Sequence, residues 1–210
     1  MPPQRRIARI VLQYGQSDLK IINNSNLGPI KYMAKTKIAT FGGGCFWCIE
    51  AALNQVRGVI RATSGFSGGH RVNPTYQQVI TGVSGHAEVV QVEYNSDLLS
   101  FAQLLNMFFQ LHDPTTLNRQ GNDKGPQYRS IILYHDSEQL KTAEHMIQTL
   151  TEDKIWDDAI VTELKKYEAF YAAEDYHQGY ALKNPDQPYC AILIGPKLAR
   201  FKTKYADWLK

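Results

Sequence analysis

The chain has 210 residues, of which 43% are hydrophobic and 20% charged, and carries a net charge of +3. That length supports one sizeable core, and the mild charge, without a dense Lys/Arg stripe, argues against nucleic acid as a partner. Three cysteines, two of them three residues apart, are no framework for a disulfide-rich secreted domain. A reducing compartment fits better, so a cytoplasmic location is expected. The apolar stretch after Arg5 and Arg6 is short and interrupted by Arg9, which excludes a signal peptide. No window reaches the roughly 20 apolar residues that a membrane helix needs.

Residues 1–33 lack periodicity and contain a turn-rich Asn/Gly/Pro stretch, so they are expected to form a poorly ordered N-terminal extension ahead of a single catalytic domain over 34–210. The run 37–41 predicts a strand. Gly42-Gly43-Gly44 then leads through Cys45-Phe46-Trp47-Cys48 into a helix over 49–53. Residues 58–64 predict a strand that dissolves into a glycine-rich loop over 65–70. Pro74 and Gly82 bracket a short helix over 75–81 with Tyr76 near its start. The β-branched content of 88–94 predicts a strand that is central, because both faces are mixed. Ser96 or Asp97 caps a largely buried helix from Leu98 to about His112, which Pro114 ends. A loop over 113–125 precedes a strand over 128–134. Asp136 and Gln139 form a capping box for a helix to about Asp153. A strand near 160–164, a short helical piece over 175–182 and a final helix from Pro196 complete the chain. Helices interleaved with short strands predict an α/β (α+β) fold, a two-layer sandwich with a mixed sheet.

The Cys45/Cys48 pair carries the chemistry. At a helix start, unpaired N–H groups and the macrodipole favour thiolate over thiol, which makes Cys45 a nucleophile, and Cys48, one turn on, falls within disulfide reach. A C-x-x-C in this place has three readings: thiol–disulfide chemistry, metal ligation or coincidence. The metal reading has only Cys190, His70 and His86 to complete its ligands. Coincidence would make both cysteines small core hydrophobes. No G-x-G-x-x-G or P-loop pattern follows a strand, so no built-in nucleotide site is expected.

Gly44-Cys45-Phe46-Trp47-Cys48, Gly85-His86-Ala87-Glu88, the run from Gln120 to Ser130 and Ala173-Glu174-Asp175-Tyr176-His177-Gln178, with an Asn-Pro-x-x-Pro-Tyr-Cys ending at Cys190, together resemble the signature segments of peptide methionine sulfoxide reductases of the A type. The resemblance implies reduction of methionine sulfoxide, free or in proteins, with selectivity for the S epimer at sulfur. It implies no metal and no bound organic cofactor. The second cysteine places the chain with the subgroup that carries it in the motif, which implies a Cys45–Cys48 disulfide reduced by thioredoxin. Cys190 is then read as a buried structural residue rather than a second resolving thiol.

A sulfoxide oxygen leaves only when protonated, so thiolate attack at the sulfur needs a general acid. Glu88 matches the family's acid; on its own it would read as an exposed strand-end carboxylate. Phe46 and Trp47 suit a pocket for the substrate's methyl group; the alternative is packing into the core, evenly balanced for Phe46, whereas Trp47 is read as part of the pocket. Tyr76 and Tyr128 match family tyrosines whose hydroxyls face the sulfoxide oxygen, and Asp123 matches an acid that supports the site. His86 either hydrogen-bonds near Glu88, on the substrate side, or is structural. The rival readings are a thioredoxin-like disulfide oxidoreductase and a zinc-stabilised module. A monomer is expected.

Overall fold

A computed structural model describes residues 35–210, and the extension expected over 1–33 lies outside the described residues. In chain order the strands are β1 (Thr36–Gly42), β2 (Val59–Ser67), β3 (Ala87–Asn95), β4 (Arg119–Gln120), β5 (Asp123–Lys124), β6 (Ile131–Tyr134), β7 (Glu163–Lys166) and β8 (Phe170–Ala172). The helices are α1 (Phe46–Leu53), α2 (Tyr76–Ile80), α3 (Phe101–Leu111), α4 (Ser137–Glu152), α5 (Tyr180–Lys183) and α6 (Gly195–Lys204). Six strands form one sheet in the order β7-β6-β1-β3-β2-β8, and β4 pairs with β5 in a small hairpin. All pairs in the large sheet are antiparallel except β6 with β7. This is the mixed α/β arrangement expected. Among the described residues no helix is long and apolar enough to cross a membrane.

The mixed faces of β3 have a simple cause, since both are covered. Val90, Val92 and Tyr94 join the main core with α1, α3 and α4, whereas Ala87 and Val89 pack with Ile131 and Leu133 on the far side, under Tyr167 and Phe170. A strand alternates sides, so Glu88 shares the face of Val90 and Val92. It is thereby aimed at the helix layer.

Four expectations need correction. β2 runs on through Gly65, Phe66 and Ser67, where a loop was expected, because β8 pairs with those residues; Gly65 admits the Phe170 ring where a Cβ would lie 2.4 Å from it. Helix α3 is capped by Ser100, whose Oγ accepts from the Gln103 N–H while the Gln103 side chain returns to the Ser100 N–H, not by Ser96 or Asp97. The expected strand start at 128 is a 3-10 turn over Pro126–Tyr128. At α4, Asp136 does accept from the Gln139 N–H, but the Gln139 side chain bonds His135 N–H and the Ile38 carbonyl instead of closing a box.

His112, just past α3, ties the helix layer to the glycine turn before Cys45. Its Nδ1–H donates to the Phe108 carbonyl at 2.9 Å, so the neutral ring accepts at Nε2 from Ser130 Oγ at 2.7 Å, and Ser130 in turn bonds Thr162 at 2.8 Å. A Cβ on Gly43 would lie 2.8 Å from the His112 ring. Burial lowers the His112 pKa from 6.5 to about 4. The folded state therefore favours neutral imidazole, and this contribution to stability is complete above pH 6.5 and lost as pH falls towards 4. A shift of that size corresponds to about 3 kcal/mol. Urea unfolding at pH 7 and pH 4 is expected to show the loss in wild type and a smaller one in His112→Asn; equal losses in both would overturn it.

Candidate active site

The turn that leads into Cys45 is built by glycine. Gly44 sits at φ 87°, the left-handed region, with Gln120 so close that a Cβ would lie 2.5 Å from its side chain. Its N–H donates to the Tyr128 carbonyl at 3.2 Å, which ties the turn to the 3-10 segment. Cys45 is the N-cap of α1. The helix thus begins at Phe46, three residues earlier than expected, and Cys48 lies in its first turn, its N–H donating to the Cys45 carbonyl at 3.3 Å.

Glu88, from the start of β3, reaches this helix start. It is 2% exposed, and its Oε2 accepts the Phe46 N–H at 3.1 Å. The exposed strand-end alternative is thereby excluded. Burial raises its pKa to about 8, with the Phe46 N–H opposing and Asp123 adding to the rise, so the carboxyl keeps its proton at neutral pH.

Cys45 departs from expectation. Its thiol pKa is raised well above the ordinary value, first by burial and then by Glu88, against the Trp47 N–H and the Tyr189 hydroxyl, which pull it down. Magnitudes decide this: a helix terminus is worth roughly 0.3–1 kcal/mol, whereas deep burial moves a pKa by up to about 3–5 units. The substrate-free site holds a thiol facing a carboxylic acid.

Around them stand hydroxyls. Burial, and then Glu88, raise Tyr76 to about 12 and push Tyr128 higher still, so both phenols remain proton donors. Asp123 Oδ2 accepts the Tyr189 hydroxyl at 2.6 Å. Cys45, Cys48, Asp123, Tyr189 and Lys197 line one small cleft. Tyr189 was missed as a site residue, although it lies inside the Pro-Tyr-Cys segment.

Trp47 stacks on Tyr180 with ring centroids 3.9 Å apart and donates its indole N–H to His177 Nδ1 at 3.2 Å. Phe46 is 1% exposed and belongs to the main core, tilted against Phe66. His86 has both ring nitrogens engaged: Nδ1 accepts the Gly69 N–H at 3.0 Å and Nε2–H donates to the Arg71 carbonyl at 2.7 Å. It ties the 69–71 loop to the start of β3 and has no nitrogen left for a substrate, which favours the structural reading.

All three cysteines are free thiols. Cys48 and Cys190 are buried together with Ala51, Ala181 and Ile194. Burial raises both thiols, and Lys197 and Arg200 pull Cys48 back down. Among the described residues no three His, Cys, Asp or Glu side chains come together as a metal site.

Comparison with known proteins accounts for this arrangement. The profile of the family described as peptide methionine sulfoxide reductase matches residues 37–209. The peptide methionine sulfoxide reductase MsrA of Saccharolobus solfataricus is 52% identical over 174 residues, 83% of this chain and 97% of its own length. That of Acinetobacter baumannii is 54% identical over 172 residues, 82% of this chain and 98% of its own. Among solved structures, methionine sulfoxide reductase A of Corynebacterium diphtheriae aligns with a TM-score of 0.64 at 34% identity, over 77% of this chain and 81% of its own. Reduced Mxr1 from Saccharomyces cerevisiae aligns with a TM-score of 0.68 at 34% identity, over 75% and 91%. With the thiol and buried acid held in one site and a family match across nearly the whole described chain, this protein belongs to the peptide methionine sulfoxide reductase A family.

Proposed function

We propose that this chain reduces methionine S-sulfoxide, free or in proteins, through the residues gathered around Cys45. The observation that carries the reading is the protonated, buried Glu88 bonded to the N–H of the residue next to the nucleophile. The sulfoxide oxygen accepts hydrogen bonds from the Glu88 carboxyl and the Tyr76 and Tyr128 hydroxyls, which draws charge off sulfur. Cys45 Sγ attacks that sulfur, the S–O bond breaks, and the oxygen ends on Cys45 as a sulfenic acid while methionine leaves. The thiol proton finishes on the sulfenic oxygen, and Glu88 recovers its own. Asp123 and Tyr189 hold the hydroxyl beside Cys45. Trp47, with Phe46 behind it, forms the wall for the methyl group.

Cys48 Sγ then attacks Cys45 Sγ and expels the oxygen as water, giving a Cys45–Cys48 disulfide. Two electrons from a dithiol such as thioredoxin restore both thiols. Supporting this order, both cysteines line one cleft and Lys197 and Arg200 favour the Cys48 thiolate. A disulfide exchanger of the thioredoxin type needs neither the buried acid nor the hydroxyls. The same reading takes residues 34–210 as the catalytic domain of a cytoplasmic monomer.

The test is a single-turnover assay with each epimer. Wild type is expected to reduce the S epimer, and turnover of the R epimer alone would reject the assignment. Cys48→Ser is expected to form one methionine per enzyme and then stall with thioredoxin. Full recycling by that variant would move the resolving role to Cys190.

A further inference from the structure

The segment from β8 to α5 enters the site through one ring. His177 is 1% exposed and touches four aromatic residues: Tyr176 at 4.1 Å between centroids, Tyr76 at 4.5 Å, Phe46 at 5.1 Å and Trp47 at 5.7 Å. Its Nδ1 accepts the Trp47 indole N–H, which an imidazole does only when the proton sits on Nε2. That Nε2 is buried without a hydrogen-bond partner and faces Glu174 Oε2, also buried and unpartnered, at 4.0 Å. The other Glu174 oxygen accepts the Tyr76 N–H at 3.0 Å. One carboxylate and one imidazole thus hold both the aromatic wall and the start of the helix bearing a hydroxyl donor. Buried polar atoms left short of partners call for an explanation.

We propose that His177 is a positioning residue for the reductase reaction, its neutral Nε2–H form fixing the Trp47 indole as the substrate wall while Glu174 favours that tautomer and anchors Tyr76. This rests on the function proposed above. Protonation would place an N–H at Nδ1 against the indole N–H, donor against donor, and release the wall. The charged or titratable groups facing the ring are Glu174, Tyr76 and Tyr176; the α1 residues against it, Phe46 and Trp47, do not titrate. Burial lowers the His177 pKa and Glu174 opposes that, so the ring is neutral at pH 7 and the release falls below the ordinary imidazole range.

The segment does not depend on His177 for its place. Glu50 accepts the Gly179 N–H with both oxygens at 2.8 and 3.0 Å, and the Gln178 amide bonds Ser64 and the Ala173 carbonyl. Substitution at 177 therefore tests positioning rather than folding.

The experiment measures KM and kcat for methionine S-sulfoxide against pH, with Trp47 emission read in a Trp156→Phe, Trp208→Phe background. His177→Leu is expected to raise KM by about 5- to 10-fold, the worth of one hydrogen bond, with a larger effect on KM than on kcat and with Trp47 emission altered at pH 7. His177→Asn, whose amide oxygen takes the Nδ1 place, is expected to recover most of that KM and to lose the acid limb that wild type shows. Glu174→Gln keeps an acceptor for Tyr76 and is expected to move that limb to lower pH. Unchanged KM and emission in His177→Leu, or an acid limb that persists in His177→Asn, would overturn the proposal. Failure of wild type to reduce the S epimer would instead strike the proposed function itself.

Discussion

Glu88→Gln is expected to slow methionine sulfoxide reduction by roughly 10²- to 10⁴-fold, the usual share of a positioned general acid. Glutamine keeps an oxygen to accept the Phe46 N–H and an amide to touch the substrate oxygen, so the site stays assembled and only the transferable proton disappears. The pH profile supplies an independent check. The Glu88 carboxyl is raised to about 8 by burial, so its acid form, the active one, is present below that pH and lost above it. Single-turnover reduction by wild type is expected to fall as pH rises through 8, whereas alkylation of Cys45 keeps increasing, because its thiol titrates higher still. Glu88→Gln should lack the alkaline fall. A loss under about tenfold would be too small for general acid catalysis and would hand the proton to Tyr76 or Tyr128.

Cys45→Ser is expected to abolish reduction altogether, including the first turnover. A hydroxyl is far less acidic and less polarizable than a thiol, and no stable oxidised serine corresponds to the sulfenic acid. Mass spectrometry after mixing with substrate is expected to show one added oxygen on Cys48→Ser protein and none on Cys45→Ser. The near-isosteric change at an N-cap that makes no side-chain cap bond is small for the fold. Methionine release by Cys45→Ser, at any rate above the uncatalysed one, would sink the assignment of the nucleophile.

Much of this site was legible from residues that announce a local conformation. Three glycines before a cysteine at a strand-to-helix turn pointed to Cys45, whereas Glu88 was legible only through its match to the family's acid, since on its own it read as an exposed strand-end carboxylate. Hidden were features fixed by partners distant in sequence. β8 has only three residues, too short for any periodic signal, yet its pairing turns an expected loop into the end of β2. Tyr189 and His177 sit among many aromatics, and nothing local distinguishes a tyrosine that bonds Asp123 from one that fills space. The Cys45 thiol was misjudged for a related reason: a helix terminus is visible in sequence, whereas the enclosure that outweighs it comes from residues around 76, 88, 120, 128 and 189.

Those contributors are spread along nearly the entire described chain, and the last to be synthesised, Tyr189, lies beside the attacking sulfur. The acidity of the Cys45 thiol is therefore a property of the assembled tertiary structure, set jointly by the start of β3, the turn at Tyr128 and the segment at Tyr189 rather than by the glycine-cysteine motif alone.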